Sequence, residues 1–206
     1  MAFQDPLAVP NSKANAMWKS RIEDVTRHLN DLQARTYEGA ASRTEREEVF
    51  IEAFRLTTPV ALRVLEDLRS YLLDGRGTIE ITEPASDGAG GIEGAWVLSW
   101  PEQQQARHRL NGDQIEPIRL VAGLPIDFLH GHLIAPMPGL PDRVVAWPLQ
   151  VTSARDAERQ EPVLRILAEA ILHERIYQAG GNWGLFGRAD HPHPAPSATS
   201  RRSGTE

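Results

Sequence analysis

Two histidines one residue apart, in Phe128-Leu129-His130-Gly131-His132-Leu133, are the pair in this chain best spaced for chemistry. Alternation along an extended segment puts both imidazoles on one face, as two nitrogen ligands of a metal require. A third ligand has to come from elsewhere. His173 and Glu174 are the chemical candidates, together with Glu169, one helical turn before His173. On this reading His130 and His132 hold a divalent metal, and its bound water serves a hydrolase or an oxygenase. The plainer reading turns both imidazoles toward solvent or a polar cleft while Leu129 and Leu133 face the core. It is preferred, because a shared face is necessary for a metal site and not sufficient.

The other candidates are weaker. His173 reads as a boundary residue bonded to Glu169, or as a general base oriented by it. His28, with Asp24 one turn before it and Asp31 after it, reads as solvated, and no role is expected of it. His191-Pro192-His193-Pro194 and Arg201-Arg202 sit in a tail without periodicity, where ordering entropy opposes a metal site and two charges neutralise too few phosphates. The Gly88-Ala89-Gly90-Gly91 run lies between two strand patterns and is a turn, not a phosphate cradle at the start of a helix. There is no Gly-x-Gly-x-x-Gly, Gly-Lys-Ser/Thr, Gly-x-Ser-x-Gly or His-Glu-x-x-His.

Aromatic residues suggest contact surfaces. Trp96 and Trp100 share one strand face and read as core. Trp18 heads an apolar stripe, and Trp183 with Leu185 and Phe186 forms a glycine-flanked patch before the tail. That patch either docks into a partner's pocket or folds over the end of the sheet. Trp18, Trp183, Leu185 and Phe186 are therefore the candidate partner-binding residues.

The elements that must position these groups follow from periodicity. Trp18, Ile22, Val25, Leu29 and Leu32 recur at intervals of four, three, four and three, an amphipathic helix whose stripe is expected to pack within the chain. The 3.5-residue average also suits docking on another helix, in this chain or in a second copy. Thr44 and Glu47 have capping-box spacing and predict a second helix, broken at Thr57-Thr58-Pro59 and restarted as a third that stops at Asp74-Gly75. Alternation then predicts strands over 78–82, which ends at Pro84, and over 92–100, 115–121, 128–135 and 143–151. Their many prolines predict a small, irregular, mostly antiparallel sheet. A long helix over 153–179, kinked or restarted at Pro162, closes the domain at Gly180-Gly181.

The fold class is thus α+β: N-terminal helices, the sheet, a long C-terminal helix and a disordered tail. The expected organisation is a flexible 1–14, one domain over 15–187 and a disordered 188–206. With 22 Lys+Arg against 28 Asp+Glu among 206 residues, the net charge is −6, which makes nucleic acid an unexpected partner. Absence of cysteine removes disulfides, thiolate metal sites and cysteine nucleophiles. No run approaches the ~18 apolar residues of a membrane span and the first residues lack a signal-peptide pattern, so a cytoplasmic protein with no membrane partner is expected. The reading is a non-catalytic accessory or adaptor protein that contacts a larger partner or itself. The metal-dependent enzyme is the alternative. A winged-helix-like DNA-binding regulator comes third, on the order of its helices alone.

Overall fold

The computed structural model describes residues 12–137, 140–181 and 183–186. Helix α1 spans Ser12–Ala34 and α2 spans Arg43–Leu72. Five strands follow: β1 Thr78–Ser86, β2 Ile92–Ser99, β3 Ile118–Leu124, β4 His132–Met137 and β5 Leu140–Pro148, with a short helix α3 at Pro101–Gln105 between β2 and β3. Helix α4, Ala154–Gln178, and a single 3₁₀ turn at Trp183–Phe186 complete the described chain. The strands pair in sequence order as an antiparallel meander, so β1 and β5 are its edges. The fold is α+β. Of the expected flexible ends, residues 12–14 belong to α1; residues 1–11 and the expected tail from 188 onward lie outside the described residues.

Both long core helices lie on one face of this sheet, α2 against β1, β2 and β3 and α4 against β3 and β4, and they pack on each other. Alternation selects what faces them. Trp96 and Leu98 from β2, Ile118, Leu120, Ala122 and Leu124 from β3, and Leu133 and Ala135 from β4 are buried beneath Phe50, Phe54, Val64, Leu65, Leu164 and Ile171. Trp96 stacks on Phe54 with ring centroids 4.3 Å apart and donates its Nε1–H to Thr58 Oγ1 at 3.0 Å. Such a pair combines large apolar burial with a satisfied polar tip.

Three local expectations are corrected. The capping box of α2 uses Ser42 and Glu45, not Thr44 and Glu47: Ser42 Oγ accepts from Glu45 N, and Glu45 Oε2 accepts from Ser42 N at 2.9 Å. Pro59 does not divide α2 into two helices. The Thr57 and Thr58 hydroxyls donate to the Ala53 and Phe54 carbonyls at 2.7 and 3.0 Å, which holds the turn together around the missing proline donor. Among the described residues the N-terminal helices therefore number two instead of the expected three. Finally, β1 runs through Pro84 instead of ending there, because it is an edge strand and its register shifts between Thr82 and Ala85. Pro162 likewise sits inside a continuous α4, near an N-terminus capped by Ser153.

Two residues of the tail-end patch, Leu185 and Phe186, belong to the core. Leu185 and Phe186 are buried, Phe186 lies over Trp100 at 6.2 Å between centroids, and Trp100 Nε1 donates to the Leu185 carbonyl at 2.6 Å. Arg76 Nη2 donates to the Phe186 carbonyl at 2.8 Å. Those two residues close the end of the domain and do not present a docking surface. The side chain of Trp183 lies outside the described residues.

Candidate functional site

No other element packs extensively along α1 among the described residues. Among the described residues it meets the body through one polar seat. Arg27 reaches Glu38 at 3.2 Å, Asp156 at 3.8 Å and the Gln150 carbonyl at 2.5 Å. Asp24 pairs with Arg159 at 3.2 Å, and Arg159 also holds Asp156 at 2.5 Å. Asp31 accepts from Thr36 Oγ1, Glu38 N and Gln150 Nε2, each at 2.9 Å. The turn that follows α1 supports this geometry. Arg35 and Glu38 adopt left-handed backbone angles (φ 57° and 49°), and Thr36 N returns to the Asp31 carbonyl at 2.9 Å, closing the helix.

At the centre of the seat three imidazoles meet. The His28 ring lies 4.6 Å from His130 and 6.3 Å from His132, both edge-on. Tyr37 packs against His130 at 5.5 Å and Phe128 against His132 at 5.1 Å. His130 is 1% exposed and His132 9% exposed; His28 is half-buried. The Tyr37 hydroxyl donates to the Leu149 carbonyl, and burial pushes its ionisation far above the usual phenol range. Gly131 separates the two strand histidines where a Cβ would stand 2.6 Å from the Phe50 ring and 2.9 Å from the Tyr37 hydroxyl. Only glycine lets the chain pass there.

Burial sets the protonation of the cluster. Desolvation lowers His28, opposed by Asp31; it lowers His130, reinforced by His28 and opposed by Asp31; and it brings His132 down to about 4. All three rings are therefore neutral near pH 7. His28 Nδ1, His130 Nε2 and His132 Nδ1 are buried with no hydrogen-bond partner among the described residues. His130 Nε2 stands 3.9 Å from Asp31 Oδ2, beyond hydrogen-bonding distance.

The seat brings together His130 and His132 but not the ligands expected to complete them. Asp156, near the start of α4, touches the seat through Arg27, whereas His173 lies 17 positions further along the same helix, about 25 Å at 1.5 Å per residue. His173 is exposed and lines an open groove with Arg109, Tyr177 and Gly180, and Glu174 is its neighbour on that end of α4. The imidazole that does reach the pair is His28, of which the sequence reading expected nothing. Its signal was the row Asp24, His28, Asp31 at helical spacing, a polar face beside the apolar one. Among the described residues, no group of three or more His, Asp or Glu side chains is arranged to hold a metal ion. The hollow beside His28, lined by Asp24, Val25, Trp147, Pro148, Gln150 and Gln160, measures about 40 Å³, far below the ~300 Å³ of a small-molecule site.

With its polar face seated, α1 turns its apolar stripe outward. Trp18 is 66% exposed, Ile22 47%, Val25 49%, Leu29 51% and Leu32 41%, so the expectation that this stripe packs within the chain is overturned. The cause is local: ion pairs and buried carboxylate bonds fix the neighbouring face of the helix to the body, which leaves the 3.5-residue seam exposed. No protein-family model, no curated protein and no solved structure matches the chain. Among the described residues no helix is long and apolar enough to cross a membrane.

Proposed function

We propose that this protein is a non-catalytic accessory subunit that offers α1 to an amphipathic helix of a larger protein. One observation carries the reading: a regular five-residue apolar seam faces outward on a helix whose polar face is the one docked. Each of those side chains exposes on the order of 100 Å², a patch of roughly 500 Å² and thus of the size that marks contact sites on monomers. The 4-3-4-3 spacing favours a helix as occupant, because it keeps knobs on one seam facing a second helix. Among the described residues the enzyme alternative, with His130 and His132 on a divalent metal, gains no support from His173 or Glu174 as a third ligand, and the hollow beside His28 is too small for a substrate.

Ile22→Glu tests the reading. The variant places a charge in the middle of an exposed seam, so its thermal unfolding is expected to match that of the parent chain within about 0.5 kcal/mol. A partner captured by the parent, purified and titrated against both chains, is expected to bind the variant at least ~100-fold more weakly. Equal binding by the two chains would overturn the proposal. A dimer of the isolated protein that dissociates on Ile22→Glu would assign the seam to a second copy and remove the larger partner.

A further inference from the structure

We infer that the seat of α1 is acid-labile: when the three imidazoles between α1 and β4 take up protons, α1 leaves the body while the sheet, α2 and α4 stay folded. This inference names a regulation of the face assigned above and rests on that assignment for its biological use, but not for its physics.

Charge counting around the cluster gives the reason. The groups facing it are Asp24, Arg27 and Asp31 from α1, Glu38 from the following turn, Arg46 from α2, Asp156 and Arg159 from α4, and Tyr37, which stays neutral. Four carboxylates stand against three guanidinium groups, an excess of one negative charge while the histidines are neutral. One imidazolium brings the seat to neutrality. A second and a third leave it positive, with like charges on rings 4.6 and 6.3 Å apart. Asp31 is the carboxylate nearest His130, and three donors already occupy it. Glu38 adds to the effect: burial raises its ionisation above the ordinary carboxylate range, so it loses its charge early as the pH falls.

The weak link is α1 because of what holds each element. Helices α2 and α4 are held by the apolar core, whose one titratable member, Tyr37, stays neutral, whereas α1 is held through the polar seat and its seam stays 41–66% exposed. Once α1 departs, His130 and His132 meet water and hold their protons without repulsion from His28. Opening is therefore local and self-consistent, an opening of one segment below the cost of global unfolding.

The absence of cysteine makes the test clean. Cysteines introduced by Glu23→Cys on α1 and Glu169→Cys on α4, both exposed, take nitroxide labels at two places only. Pulsed electron resonance at about pH 7.5 is expected to give one narrow distance, and at about pH 5 a broad distribution. The near-ultraviolet dichroism of the buried Trp96 and Trp100 is expected to hold throughout. His28→Gln, and independently His28→Phe, remove one proton acceptor from the seat. Each should move the midpoint of release down by ~0.5 pH unit or more. An unchanged distance between the two pH values would overturn the inference. So would release at the same pH in parent and both variants, or loss of the tryptophan signal together with the distance. None of these measurements involves a partner, so failure of the seam assignment on Ile22→Glu leaves this result standing, and the reverse.

Discussion

At Gly131 the chain passes between the Phe50 ring and the Tyr37 hydroxyl with no room for a methyl group, and this single residue sets the histidines on either side of it. The Gly131 carbonyl accepts from Leu149 N at 2.8 Å, tying the entry of β4 to the exit of β5. Gly131→Ala forces a Cβ into the Phe50 ring, and overpacking of this kind is expected to cost about 1–3 kcal/mol. Urea unfolding at pH 7.5 measures the loss. Because the same shift parts His130 from His28, the histidine titrations followed by NMR should move in the variant toward the ordinary value near 6.5. A stable variant with unmoved titrations would show that the contact is not what buries the cluster. The sequence displayed the pair His130 and His132 but gave no sign of Gly131's role, since a close approach to Phe50 and Tyr37, 81 and 94 residues earlier, leaves no local pattern.

Among the elements, periodicity made the helices and strands legible, and the caps located their starts to within about two residues. What it could not supply was the environment of a face. The seam from Trp18 to Leu32 shows in sequence as apolar, yet whether such a face meets core or water depends on the neighbouring face, where Asp24, Arg27 and Asp31 find partners in Glu38, Gln150 and Arg159. Those partners come from three other segments. Leu185 and Phe186 fail in the opposite sense, since a short apolar run beside glycines carries no period from which burial can be read. In α2 the expected break at Pro59 was chemically sound but too strong. Pro59 is exposed, so nothing packs on its ring tightly enough to require it, and it leaves the Arg55 carbonyl without its i+4 donor. Pro59→Ala restores that donor and is expected to stabilise the protein by about 1–3 kcal/mol, read as a rise in thermal midpoint. A fall in the midpoint would mean that the helix needs the local bend proline gives it.

The whole molecule couples a well-packed sheet-and-helix body to one helix held by charge, and its stability should therefore depend on pH in a particular sense. His28, His130 and His132 are depressed in the folded chain relative to their unfolded value near 6.5, so the unfolded chain binds protons first as the solution is acidified. Their contribution is present in full above pH ~6.5 and is lost as the pH falls from there toward about 4, the value of His132. Asp156 acts lower down: burial alone would raise it, but the Ser153 and Thr152 hydrogen bonds and Arg27 bring it below the ordinary aspartate value, so its contribution is lost only as the pH falls further. Urea unfolding from pH 8 to pH 4.5 should thus give a nearly flat stability down to about 6.5 and then a decline of up to ~1.4 kcal/mol per pH unit for each imidazole still buried. If α1 leaves first, the decline flattens once it has gone, because all three rings then titrate in water in both states. A decline that continues unbroken to pH 4.5 would mean that the seat and the core melt as one unit.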